Sequence, residues 1–156
     1  MKRTHLFLLS ALLLCTAVLA AVAGAQGDRP FAHASRAAKV GLRHTRVGTI
    51  LVSSSGRTLY EFTRDRPRAN SCVKIRECPQ LWPALQSSGK PLAGPGVRSS
   101  LLSTIKLPGG ASQVTYAGHA LYLYSGDSGP GQTSYVGELA FGGRWYAIDA
   151  AGRAVR

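Results

Sequence analysis

The sequence is short of acids, sulfur and imidazole. Of 156 residues only seven are Asp or Glu, four are His and three are Cys, against 19 Lys and Arg, for a formal charge of +12. The carboxylates are Asp28, Glu61, Asp65, Glu77, Asp127, Glu138 and Asp149, and beyond residue 30 the imidazoles are His33, His44 and His119. General acid and base groups must converge on one substrate, so this thin supply argues against an enzyme. There is no His-x-x-x-His, no Cys or His cluster and no alternating Asp/Asn loop, so no metal site is expected. The phosphate-cradling G-x-x-x-x-G-K-[ST] is missing as well, and no cofactor is expected. No convincing amphipathic helix occurs, which leaves short strands punctuated by Gly and Pro.

The one long apolar run lies at the start. Lys2-Arg3, the apolar residues from Leu6 to about Val22 and the small residues of AVAGAQ have the three-part form of a secretory signal peptide. It is expected to span residues 1–23, with cleavage after Ala23 or Ala25 and no transmembrane helix in the mature form. Cys15 follows Leu14, where lipoprotein cleavage wants a small residue, which argues against lipidation. Cys72 and Cys78 remain for an oxidising compartment and are expected to bond to each other as a structural staple. Residues 24–38 read as a flexible basic linker.

The remainder, 39–152, reads as a single β domain made of two repeats, about 48–85 and 110–148. GRTLYEFTRD from Gly56 to Asp65 returns as GHALYLYSGD from Gly118 to Asp127. A constant offset of 62 pairs Leu59 with Leu121, Tyr60 with Tyr122, Phe62 with Tyr124 and Asp65 with Asp127. One further residue pairs Trp82 with Trp145. Each copy centres on a β-hairpin, and period two puts Tyr60 and Phe62 on one face and Leu59 and Glu61 on the other. Because Leu123 stands where the first copy has Glu61, the second hairpin is expected to be the more buried and the first to lie nearer an edge. The fold class is all-β, one small sandwich or barrel, with a short helical turn near Trp82 stopped by Pro83. Gln86 to Ser100, rich in Gly, Pro and Ser, is the seam between the copies.

At these residues the chain resembles a bacterial family of predicted secreted proteins and lipoproteins with a repeated Y-x-[FWY]-x-x-D motif and uncharacterised function. Tyr60, Phe62 and Asp65 match the motif once, and Tyr122, Tyr124 and Asp127 match it again. The cysteine pair before Trp82-Pro83, QVTYAGHALY and FGGRWYAI extend the likeness from about Val47 to Gly152. The resemblance implies secretion and names no reaction.

Three functional readings follow. The first is a secreted or envelope-associated, non-enzymatic interaction or structural module. The second is an extracellular hydrolase using Asp65 and Asp127 as paired carboxylates, which requires both in one open cleft. The third is a binder of anionic envelope polymers. Eleven Lys or Arg lie between Arg29 and Arg76, and Arg57, Arg64, Arg66, Arg68, Lys74 and Arg76 are the candidate contacts. The paired aromatics could also stack on a glycan, although alternating aromatics more often fill a β core. His119 stands where the first copy has Arg57, which suits an exposed turn residue better than a general base. An export signal places the chain away from nucleic acid.

Overall fold

The computed structural model describes residues 37–156. The expected signal peptide, Cys15 and all but the end of the 24–38 linker lie outside the described residues. In order the elements are β1 (Lys39–Thr45), β2 (Gly48–Ser53), β3 (Tyr60–Phe62), α1 (Cys78–Leu81), β4 (Leu92–Ala93), β5 (Leu102–Lys106) and β6 (Ser112–Tyr116). There follow β7 (His119–Ala120), β8 (Leu139–Ala140), β9 (Gly143–Ile148) and β10 (Ala154–Val155).

The fold is all-β, as the spacing of Gly and Pro predicts, but it does not close into a barrel. The strands form three small sheets, ordered β2-β1-β4, β10-β9-β3 with β8 also on β9, and β5-β6-β7. Isolated bridges at Tyr60↔Tyr122, Ala84↔Tyr122 and Gln86↔Gln113 stitch the pieces together. Strands this short, interrupted by turn residues, cannot sustain the continuous ladder that barrel closure needs.

β1 and β2 form an antiparallel hairpin from Val40↔Ser53 to Thr45↔Gly48. The β-branched run of β2 is covered on both faces: Leu51 enters one apolar cluster, Ile50 and Val52 another. After Ser54 and Ser55 the chain folds back on β2, with Ser53 N–H donating to Arg57 O at 2.8 Å and Leu59 N–H to Leu51 O at 3.0 Å. The hairpin ends there. β3 crosses instead to β9, pairing Tyr60↔Ala147, Glu61↔Tyr146 and Phe62↔Trp145.

The seam between the copies also carries structure. Within it β4 pairs in parallel with β1 through Lys39↔Leu92 and Val40↔Ala93. The linker's last residue, Ala38, is fixed at the same place, donating to Ser87 Oγ at 2.9 Å and accepting from Leu92 N–H at 2.8 Å. The helical turn appears as α1, with Pro79 in its first turn, where the missing N–H costs nothing. Trp82 N–H closes it onto Cys78 O at 2.8 Å and Pro83 prevents continuation. Cys72 and Cys78 are bonded, S–S 2.03 Å, and both are buried.

Besides the cluster of Ile50 and Val52, two larger cores result from the period-two alternation. Leu59 and Leu121 point into an aliphatic cluster with Val40, Leu51, Val114, Tyr116 and Ile148. Tyr60, Phe62 and Tyr122 point the other way, into an aromatic cluster with Trp82, Trp145 and the disulfide. The expected burial ranking is reversed. All three residues of β3 are buried, Glu61 included, whereas Leu123 and Tyr124 of the second copy are half-buried. A charge at position 61 does not force the strand outward, because a partner meets it inside.

Candidate functional site

The motif residues build an exchange between the two copies. Tyr60 and Tyr122 face each other across a two-way backbone bridge, N–H to O at 3.0 Å in one direction and 2.9 Å in the other. Each Tyr hydroxyl then donates to the other copy's aspartate: Tyr60 to Asp127 Oδ2 at 2.9 Å, and Tyr122 to Asp65 Oδ2 at 2.6 Å. Each aspartate is aimed by an equivalent tight turn, Asp65 N–H to Phe62 O at 2.9 Å and Asp127 N–H to Tyr124 O at 3.2 Å.

The tryptophans obey the same rule. Trp82 and Trp145 stack on each other at 3.6 Å with planes 2° apart. Each copy's tyrosine meets its own tryptophan edge-on, Tyr60 on Trp82 and Tyr122 on Trp145, both at 5.2 Å. The third motif position goes across: Phe62 stacks on Trp145 at 4.1 Å, and Tyr124 lies on Trp82 at 4.8 Å. Such pairs contribute roughly 0.5–1.5 kcal/mol each beyond the area they bury.

These positions bear on two alternatives that the sequence left open. Tyr60, Phe62 and Tyr122 are buried and Tyr124 is half-buried, so these rings chiefly fill the core. Asp65 and Asp127 do not share an open cleft, since Asp127 is only 4% exposed and each carboxylate holds a tyrosine hydroxyl. The crossing of β3 to β9 brings Phe62 inward onto Trp145.

Burial raises the proton affinity of both aspartates, against the opposing effect of the tyrosine hydrogen bonds. Burial likewise raises Tyr60 and Tyr122, assisted by the facing carboxylates. A carboxyl raised on folding contributes stability that is complete below its unfolded value of about 3.9 and is lost as pH rises through the folded value. Asp149 acts in the opposite sense. Its partial burial is outweighed by bonds from Arg153 and Ala151 that lower it, so its contribution is lost on acidification.

Sequence reasoning missed the second constellation. Glu61 of β3 and His119 of β7 form an ion pair, Oε2 to Nδ1 at 2.5 Å, with the Glu61 side chain 9% and the His119 side chain 45% exposed. The hydrogen bond to Glu61 holds His119 above the ordinary histidine range, against the opposing effect of burial. Ala117 and Gly118, at φ +49° and +88°, make the left-handed turn that presents His119, and Gly118 suits that turn because it has no Cβ. With Asp65, Arg66, Pro67 and Phe62 the pair lines a pocket of about 90 Å³. One signal was legible. Position 61 of the first copy aligns with Leu123, and His119 aligns with Arg57, so both departures from the repeat fall on residues that touch.

A pH prediction follows from His119. Its raised value adds stability that is complete below about pH 6.5 and disappears as pH rises through the folded value. The urea midpoint of the wild type is therefore expected to fall between pH 6 and 9, and that of the Glu61→Leu variant to fall less. Equal slopes for the two proteins would contradict the assignment.

The six candidate cations divide by position. Arg57 turns inward, donating through Nη2 to the Tyr124 carbonyl, and is half-buried. Arg64 is exposed but bonds the Phe141 carbonyl through Nη1 at 2.7 Å. Arg76 pairs with Glu77 at 3.5 Å on a fully open surface, where such pairs contribute little. Arg64, Arg66 and Lys74 line one open groove of about 430 Å³ with Ala69, Asn70, Ser71 and Ile75. Arg68 lines the neighbouring concavity with Ser100, Ser103 and Thr115.

Among the described residues no group of three or more His, Cys, Asp or Glu is arranged to hold a metal ion. No helix there is long and apolar enough to cross a membrane. No curated protein and no solved structure matches the chain. Residues 103–149, which run from β5 to Asp149 and hold Tyr122, Tyr124, Asp127 and Trp145, match the family model described as a secreted repeat of unknown function.

Proposed function

We propose that the chain is an exported, non-enzymatic β module, assembled from two copies of one repeat, that binds anionic polymers of the cell envelope through the loop joining β3 to α1. One observation carries the reading. Arg64, Arg66 and Lys74, spread over eleven positions of sequence, line a single open groove. The Asp65 carboxylate does not line the groove and accepts from the Tyr122 hydroxyl and from Ser71 N–H at 2.6 Å. The groove wall is held in shape by the buried Cys72–Cys78 bond and by Asn70, whose Oδ1 accepts from Val73 N–H at 2.9 Å. Asn70 Nδ2 reaches Gln113 Oε1 of β6 at 2.7 Å, tying the loop to the sheet. The family description of the matched repeat as secreted agrees with a partner outside the cytoplasm.

The interaction is electrostatic and exposed, so it weakens as salt shortens the Debye length from about 30 Å at 0.01 M to about 8 Å at 0.15 M. Retention on immobilised polyphosphate or polyglutamate is expected at low salt and release at high salt. An Arg64→Gln/Arg66→Gln/Lys74→Gln variant is expected to associate at least roughly tenfold more slowly at low salt. Retention that ignores both salt and the triple substitution would sink the reading.

A further inference from the structure

We propose that the pocket between β3 and β7 is a subsite that seats one oxyanion group, phosphate or carboxylate, of the bound polymer between His119 and Arg66. This rests on the polyanion reading above and adds a specific contact to it.

The first support is an asymmetry between the copies. Where the second copy has Leu123, packed against the aliphatic core, the first buries the carboxylate Glu61. A buried carboxylate costs several kcal/mol of desolvation unless it is paired, and an apolar residue would serve the core as well or better. Its partner His119 replaces Arg57, whose guanidinium caps the Tyr124 carbonyl and acts on the Asp127 carboxylate. Packing alone gives no reason for both changes to occur at touching positions.

The second support is the direction of the pair. Nδ1 of His119 is occupied by Glu61, which fixes the ring and leaves Nε2 without a partner among the described residues, on a side chain that is nearly half exposed. A carboxylate behind an imidazole favours the doubly protonated ring, whose outer N–H makes a charge-assisted bond to an anionic oxygen. Arg66, exposed, lines both this pocket and the basic groove.

The charges facing His119 are accounted for. Glu61 from β3 is its ion-pair partner. Asp65, after β3, has Oδ2 taken by the Tyr122 hydroxyl and Oδ1 by Ser71 N–H. Arg66 is the second ligand, and Arg68 holds the turn through its N–H to Gly118 O at 2.8 Å. Both carboxylates favour the protonated imidazole, and His119 and Arg66 are the cationic donors among the lining residues.

The test is imidazole NMR of the full secreted protein, titrated at constant ionic strength with inorganic phosphate and, separately, with acetate, at pH 6 and pH 8.5. At least one anion is expected to move the His119 Nε2 resonance saturably, with a dissociation constant about tenfold weaker at the higher pH, as loss of one charge-assisted bond implies. Phosphate gains charge over this range, so simple attraction to the basic surface predicts the opposite trend. The tighter of the two anions names the polymer group. His119→Gln is expected to abolish the saturable shift of neighbouring resonances, and Glu61→Gln to move the pH dependence to lower pH. A His119 resonance unmoved by both anions, or moved equally at both pH values, overturns the subsite. Polymer retention is scored apart: its loss in the triple-Gln variant with His119 silent removes the subsite alone, and a responding His119 without retention removes the groove.

Discussion

Replacing Trp145 by Ala is expected to lower the unfolding free energy by about 3–5 kcal/mol, the range for deleting a large aromatic from a packed core. Trp145 is fully buried and touches Trp82, Phe62 and Tyr122, so its removal opens a cavity at the point where the two copies meet. Trp82→Ala is expected to cost a similar amount, because its neighbours are the counterparts of those around Trp145. A small domain has about 5–15 kcal/mol in total, so either variant will be marginal near 37 °C. Trp145→Phe separates volume from hydrogen bonding. Neither indole N–H has an acceptor among the described residues, so Phe loses packing and no bond. Urea denaturation of Phe and Ala variants at both positions is the measurement. A cost under about 1 kcal/mol for Trp145→Ala, well below the large-to-small range, would place the ring outside the core.

The exchanged tyrosine–aspartate bonds set the second large effect. Tyr122→Phe is expected to cost about 1.5–3 kcal/mol, the range for a hydrogen bond to a charged group, because the half-buried Asp65 is left with one donor fewer. Tyr60→Phe should cost a comparable amount through Asp127. The double-mutant cycle of Tyr122→Phe with Asp65→Asn isolates the bond, and strong non-additivity is the expected sign of direct contact. Additivity within about 0.3–0.5 kcal/mol would mean that the two groups do not depend on each other.

The exchange gives the repeated motif a physical purpose. An aspartate three residues beyond the aromatic strand cannot satisfy its own tyrosine, since strand direction carries it past that ring. It reaches the tyrosine of the other copy instead. One copy alone would leave a buried hydroxyl without its carboxylate and a tryptophan face without its stacking partner, each costing on the order of 1–3 kcal/mol. We expect, accordingly, that the two copies fold together as one cooperative unit.

Much of the fold was legible because it rests on local chemistry. Period-two alternation put Leu59 on the face opposite Tyr60 and Phe62, and the structure sends the two faces into different clusters. Gly and Pro placed the turns, and Cys72 with Cys78 gave the staple. The parallel pairing of β4 with β1 was hidden, because a two-residue strand among Gly and Pro leaves no periodic trace. The ranking of the hairpins failed on Glu61. A carboxylate reads as exposed until its partner is known, and His119 lies 58 positions away.

Sequence alone therefore determined which side chains share a strand face, the duplicated motif and the strongly cationic character, since each depends on residue type and short-range spacing. Tertiary structure decided the partnerships: which aspartate holds which tyrosine, which tryptophan each aromatic covers, and which cations share a groove. Those choices follow from the departure of β3 from its own hairpin toward β9, a crossing set by long-range packing of aromatic rings that no local pattern encodes.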